Sequence, residues 1–336
     1  MTLLESLLWP LTLPYGAATH LRARAYRTGL LRPKRLDGVV ISVGNLTAGG
    51  TGKTPMVLWI AQRLVAEGKK AGILTRGYHG HESPGGRTSD EVELLRARLG
   101  DRVLFGVGAD RFARGRELSQ RGVDWFILDD GFQHLQLARG VDIVLIDATN
   151  PFGGGHLLPA GRLREPRSAL GRANMIVITR SDHAPALEAV IRRETDAPIF
   201  YARTVLDSID LLSGSAPAGS DARDRKLFAA CGIGNPKAFV EDLANWGLSV
   251  VGHAFFADHH RFSSTDIEMI EQKAKTAGAV ALACTEKDLF NLTGVTPAMD
   301  LFVCRISLRI AKEDEFWATL MQIAEIRRQP GAHVQR

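Results

Sequence analysis

The sequence predicts an α/β protein with a doubly wound parallel sheet, a second and smaller α/β domain, and an N-terminal helical segment that is apolar first and basic afterwards. Three observations carry this. Short Val/Ile/Leu runs alternate with helical patterns, as in parallel sheets covered on both faces. A glycine-rich loop joins the first such run to a helix. A mixed stretch, "SGSAPAGSDARDRK", separates one strand–helix series from another.

Taken in order, "DGVVISVGN" reads as a buried strand and "KTPMVLWIAQRLVAEGKK" as a helix. Met56, Val57, Ile60, Leu64 and Val65 recur at helical spacing, and Gly68 sits where a helix stops. Strands are expected at "AGILTR", "RVLFGV", "VDWFILDD", "VDIVLIDAT" and "NMIVITR", with helices at "DEVELLRARLG" and "ADRFARGRELSQRG". The second series runs strand "KLFAACGIG", helix "PKAFVEDLANWG", strand "LSVVGHAFF", helix "SSTDIEMIEQKAKTAG" and strand "AVALACTEKD". The alternating runs "FYARTVLDSI" and "LFVCRISLRI" are expected to pair, returning the helix "DEFWATLMQIAEIRR" to the first domain, and the tail "QPGAHVQR" to fray. The boundaries are 1–36 for the N-terminal segment, 37–205 for the first domain, completed by 311–330, and 206–310 for the second.

The 336 residues suit two domains, and 45% hydrophobic with 24% charged residues fits a folded chain. The three cysteines, Cys231, Cys284 and Cys304, are scattered in apolar runs and read as reduced core residues of a cytosolic protein. Residues 1–36 hold six of the 42 basic residues and one of the 37 acidic ones, so the remaining 36 of each sign cancel and the whole +5 charge lies at the N-terminus. That placement argues against nucleic-acid binding, which spreads Lys and Arg along a surface. "MTLLESLLWPLTLPYGAATHLRARAYR" is interrupted by Pro10, Pro14 and Gly16 and falls short of the ~20 apolar residues of a membrane span. Its charge follows the apolar part, the reverse of an export signal. It suits a helix lying at a lipid interface, with a helix packed on the domain as the plainer alternative.

In "SVGNLTAGGTGKTP", the residues Thr47, Ala48, Gly49, Gly50, Thr51, Gly52, Lys53 and Thr54 have the make-up of a phosphate-binding loop, so the sheet is expected to be P-loop NTPase-like. Its glycines let backbone N–H groups turn towards phosphate, Lys53 adds a point charge and Thr54 a hydroxyl for Mg²⁺. The usual first glycine is replaced by Thr47, which alters the first bend and leaves the phosphate-facing end intact. Such a loop calls for an acid at a strand end to hold Mg²⁺. Asp129 and Asp130 of "VDWFILDDGFQH" supply it, with Asp147 of "VLIDATNPFGGG" as the competing candidate. His259 and His260 of "FFADHHRFSS" lack the partners of a zinc site, and as a base either would need an orienting acid.

"SVGNLTAGGTGKTP", "TRGYHG", "SDE", "DDGFQH", "GHLLPAGRLREP", "ADHH" and "TEKD" occur in the order found in the tetraacyldisaccharide 4′-kinases, and the chain resembles that family from near its first residue to the end of the second domain. The resemblance implies a peripheral enzyme on the cytoplasmic face of the bacterial inner membrane. It would use ATP and Mg²⁺ to phosphorylate the 4′-hydroxyl of a lipid A precursor, a tetraacyldisaccharide 1-phosphate, giving lipid IVA. It further implies that Asp90 of "SDE" and His259 of "DHH" form the catalytic pair, His259 polarising Asp90, with each residue in a different domain. Lys53 would stabilise the migrating phosphoryl group, and Thr54 with Asp129 or Asp130 would hold the metal. Arg111 and Arg164 would meet phosphate charge, and Arg76 and Tyr78 would lie near the disaccharide. Ser89 and Val92 stand where the family usually has Gly and Pro around the Asp–Glu pair. Two rivals remain: a P-loop ATPase acting as a conformational switch at the membrane, and a membrane-bound scaffold with a structural nucleotide site.

Overall fold

The computed structural model describes residues 3–77, 81–83, 86–213, 221–292 and 294–328. The chain opens with α1 (Leu3–Arg27), β1 (Val39–Asn45) and α2 (Lys53–Ala66). β2 (Ala71–Thr75) leads to a short hairpin, β3 (His81–Ser83) and β4 (Gly86–Thr88), and then to α3 (Asp90–Leu99), β5 (Leu104–Val107) and α4 (Arg111–Ser119). β6 (Trp125–Asp129), β7 (Val141–Asp147), β8 (Met175–Thr179), α5 (Pro185–Ile191) and the long β9 (Ile199–Ser213) follow. The remainder comprises β10 (Lys226–Cys231), α6 (Pro236–Asn245), β11 (Ser249–Phe255), α7 (Ser264–Thr276), β12 (Ala281–Thr285), the single turn α8 (Glu286–Leu289), β13 (Asp300–Ile310) and α9 (Glu313–Arg328).

These elements group into two compact units: residues 1–76, 99–203 and 308–336, and residues 77–98 with 204–307. The first unit carries parallel strands in the order β9-β8-β7-β1-β6-β2-β5. β1, β6 and β7 are buried along their whole length, which is why they read as unbroken apolar runs. α2 turns Met56, Val57, Ile60 and Leu64, all fully buried, onto this sheet. α9 packs in the same unit through edge-on contacts of Phe316 with Trp59 and Phe200, and Arg63 pairs with Glu313 at 3.3 Å. The second unit has the parallel order β11-β10-β12-β13, with β9 beside β13. Cys231, Cys284 and Cys304 are free and buried in it. Burial pushes the Cys231 thiol well up and that of Cys304 up to about 12, so both stay protonated and unreactive.

The helix α1 continues through Pro10 and Pro14, although each removes a backbone donor and crowds the preceding turn. Contacts with the rest of the first unit offset that cost. The Tyr15 hydroxyl donates to the Arg164 carbonyl at 3.0 Å, Gly16 lies against Leu157, and Arg22 donates to the Gln133 carbonyl. Trp9, Leu11, Leu13 and Leu21 remain exposed on the same helix. No helix among the described residues is long and apolar enough to cross a membrane.

Candidate active site

The glycine loop leaves the carboxyl end of β1 and closes on the first turn of α2. The register pairs Val43 of β1 with Asp129 of β6, so the adjacent acids reach the same sheet edge as the loop. The loop is strapped on one side by the segment 161–166. Ala48 N–H donates to the Arg162 carbonyl at 2.7 Å, Arg162 Nε donates back to the Ala48 carbonyl at 2.9 Å, and Arg164 N–H donates to the Leu46 carbonyl. Gly49 has φ 131°, and a Cβ there would lie 2.3 Å from the Arg162 guanidinium. No other residue fits beside that strap without moving it. Beneath the loop, Asn45 Nδ2 donates to Thr51 Oγ1 at 2.9 Å and Thr179 Oγ1 donates to the Thr51 carbonyl at 3.2 Å. Thr47 is buried in this framework, while Ala48, Gly49 and Gly50 lie at the surface end.

Charge is arranged around the loop in alternation. Asp130, in a left-handed backbone conformation (φ 49°), accepts from Arg164 Nη1 at 2.7 and 2.8 Å and faces Lys53 Nζ at 3.7 Å. Burial works against its ionisation, but Lys53 and Arg164 hold its carboxyl below the usual carboxylate range. Asp129 accepts from Thr75 Oγ1 at 3.1 Å. Arg111 is buried, and its Nε has no hydrogen-bond partner. Burial and then Arg76 push its guanidinium below the ordinary value, with Asp129 and Asp130 pulling the other way. An unpaired buried guanidinium N–H is costly unless an anion meets it. Asp147, the competing acid, is occupied: its Oδ1 accepts from Thr149 N and Oγ1, and Arg180 lies 3.6 Å away. Thr54 lies in the first turn of α2 and Arg76 is exposed beyond β2. Tyr78 lies outside the described residues. Among the described residues no three His, Cys, Asp or Glu side chains cluster as a metal cage. Thr54 and the two carboxylates offer only oxygen donors, which suits Mg²⁺ completed by phosphate and water.

The second unit holds the other expected residues. The sequence reading divided Asp90 and His259 between domains; the structure corrects it, because residues 77–98 belong to the same compact unit as 204–307. Ser89 caps α3 by accepting from Val92 N–H, so the departure from glycine there keeps the helix start, and Val92 is buried in place of proline. Asp90 is buried at the first position of α3. His259 Nδ1 lies 2.9 and 2.8 Å from the two carboxylate oxygens of Asp90, Glu91 N–H donates to Oδ1, and Asn291 Nδ2 donates to Oδ2 at 3.2 Å. The hydrogen bond to Asp90 raises the His259 pKa above 6.5 against burial and Lys287. Burial opposes ionisation of Asp90, but His259, Lys287 and Asn291 together lower its pKa. His260 is committed elsewhere. It stacks on Phe256 and bonds Asp266, the acid of the capping box that starts α7, which leaves His259 as the histidine of the pair.

A sequence model of the tetraacyldisaccharide-1-P 4′-kinase family matches residues 4–325. The chain belongs to this family. Among its relatives, the tetraacyldisaccharide 4′-kinase of Geobacter metallireducens is 40% identical over 309 residues, covering 86% of this chain and 89% of that protein. The enzyme of Pelobacter propionicus is 39% identical, covering 92% of this chain and 89% of its own. A crystal structure of LpxK from Aquifex aeolicus in complex with ATP is similar with a TM-score of 0.70 at 27% identity, covering 96% of this chain and all of that one. The α/β fold expected from the sequence is therefore the fold of this kinase family. Residues that the sequence reading did not single out include Arg162 in the strap and Lys287 and Asn291 beside Asp90. Lys287 lay in the quoted motif "TEKD", the one signal pointing to it.

Proposed function

We propose that the protein transfers the γ-phosphoryl group of ATP to the 4′-hydroxyl of tetraacyldisaccharide 1-phosphate, giving lipid IVA in lipid A biosynthesis. Family membership supports the reaction, and the observation that carries its chemistry is the Asp90–His259 pair, in a chain that also has a P-loop bordered by two carboxylates. The loop 47–54, Lys53, Arg111 and Arg164 hold the triphosphate and neutralise charge that builds on the transferred group. Thr54 with Asp129 and Asp130 would hold Mg²⁺, which screens the β- and γ-phosphate oxygens when bound. Arg76 lies on the disaccharide side of the site.

The geometry favours a division of labour in the pair opposite to that expected from the sequence. Both Asp90 oxygens accept hydrogen bonds and His259 reaches them through Nδ1, so the pair presents its basicity through Nε2 on the other side of the ring, where Asp258 Oδ2 lies 3.8 Å away. His259 Nε2 takes the 4′-hydroxyl proton as the sugar oxygen bonds to the γ-phosphorus and the bond from that phosphorus to the β–γ bridging oxygen breaks, releasing ADP. Asp90 orients the imidazole and stabilises the imidazolium. Incubation with γ-labelled ATP and the disaccharide lipid tests the assignment. Labelled lipid is the expected product; label released only as phosphate would support the switch ATPase instead, and no turnover the scaffold.

The substrate's four acyl chains keep it in a bilayer, so the enzyme works at the inner-membrane surface, on the side that supplies ATP. The exposed Trp9, Leu11, Leu13 and Leu21, with Arg22, Arg24 and Arg27 behind them, suit an interfacial helix on anionic lipid. Replacing Leu11 and Leu13 by serine is expected to reduce co-sedimentation with anionic vesicles while ATP binding persists. Unchanged sedimentation would refute the role of α1.

A further inference from the structure

Resting on the reading of Asp90 and His259 as the acceptor-activating pair, a second layer of residues can be assigned around them. The short turn α8 and the residue just beyond it supply it, all inside the second unit. Lys287 Nζ lies 2.9 Å from Asp258 Oδ1, 3.7 Å from Asp90 Oδ2 and 3.7 Å from Glu91 Oε1. It is therefore a single ammonium, largely buried, shared by three carboxylates. Asn291 donates to the same Asp90 oxygen that Lys287 faces. The neighbouring Asp288 is buried and accepts from Gly232 N–H at 2.8 Å, while the Gly232 carbonyl accepts from His259 N–H at 3.1 Å. A Cβ on Gly232 would approach the Ala257 carbonyl and His260 Cβ at 3.0 and 3.1 Å, so a larger residue there would have to push the His259 loop by a few tenths of an ångström. His259 itself has φ 64°, an uncommon conformation for a residue with a Cβ, and it persists only where neighbours enforce it. Glu286 completes the turn by accepting from Arg98 Nε at 2.9 Å, near the end of the helix that Asp90 begins. Every residue of "EKD" thus grips either the catalytic pair or an element that carries it.

We propose that Lys287 is a positioning residue for this pair, fixing Asp90 against His259 and offsetting the surplus of carboxylate charge around the imidazole. The charged groups acting on His259 are Asp90 from α3, Asp258 from its own loop and Lys287 from α8, while Glu91 faces Lys287. Two of the three are acidic. Removing the ammonium leaves that acidic surplus to favour the imidazolium, which cannot accept a proton. The same loss frees Asp90 to shift, since among the described residues Asn291, Glu91 N–H and His259 are then left to hold it. Both effects act on the proton-transfer step and neither involves the glycine loop.

Titration of labelled histidine imidazoles by NMR in wild-type, Lys287→Met and Lys287→Arg proteins tests this, with the His259 signal assigned from its disappearance in His259→Ala. In Lys287→Met the His259 midpoint should move up by roughly one unit, the size of effect a lost charge a few ångströms away produces, and the acid limb of kcat/KM should move with it. Lys287→Arg should return both towards wild type. Should the Met variant not fold, Lys287→Gln removes the same charge and retains a donor to Asp258. A fall in kcat equal at every pH, with the His259 midpoint unmoved, would mean Lys287 is only structural and overturns the inference. The imidazole titration needs no turnover, so the inference is read separately from the kinase assignment, which fails only if wild-type protein gives no labelled lipid.

Discussion

His259→Ala is expected to lower kcat for lipid phosphorylation by roughly 10²–10⁴, the usual contribution of a positioned general base, with ATP affinity nearly unchanged. The two effects separate because His259 belongs to the unit that lacks the glycine loop. The pH profile should change with the rate. A base must be neutral to accept the hydroxyl proton, and the bond to Asp90 raises the His259 pKa above its ordinary 6.5. Wild-type kcat/KM should therefore be full at high pH and fall as pH drops through a value above 6.5, and this limb should vanish in the variant. Asp90→Asn should keep the shape of the site while losing the charge that raises the imidazole, so its limb should move down. A His259→Ala enzyme with near wild-type turnover and the same acid limb would remove the pair from the mechanism.

Lys53→Ala is expected to cost about 10³-fold or more in single-turnover transfer, the scale found when a charged group stabilising a migrating phosphoryl is removed. Here binding should suffer as well as chemistry, because Lys53 sits at the head of α2 and its ammonium faces the acid expected to share the metal. Lys53→Arg should rescue poorly, since a planar guanidinium does not reproduce a compact point charge. Asp130 retains Arg164 at 2.7 Å in either variant, so the fold around the loop should survive and thermal unfolding should shift little. Transfer within about threefold of wild type would show that the loop does not hold the reacting phosphate, since a lone positioned charge there is worth far more.

Much of the first unit was legible in the sequence for one physical reason. Strands such as Val141–Asp147 are covered on both faces, so their burial is written as continuous apolar runs, and the glycines of the loop mark where a backbone must bend around phosphate. Asp129 and Asp130 were legible because two adjacent acids after the four buried residues 125–128 need a reason to be there. The pairing of Asp90 with His259 was different. The two are 169 positions apart, and no periodicity connects them; only resemblance to a family did. Residues 77–98 illustrate what a linear reading misses, since they sit between strands of the first unit yet pack with the second. Lys287 and Asn291 were hidden for the same reason: a lysine in a short turn looks like any solvated charge until three carboxylates are seen around it.

The hydrogen bond from Tyr15 to the Arg164 carbonyl joins the greasy N-terminal rod to the strand of chain whose guanidinium grips Asp130. Trimming that rod to make the enzyme easier to handle in water would therefore remove a brace from the segment that straps the glycine loop. Changes meant to reduce its apolar surface are expected to be tolerated best at the exposed Trp9, Leu11, Leu13 and Leu21, with the backbone of the rod left in place.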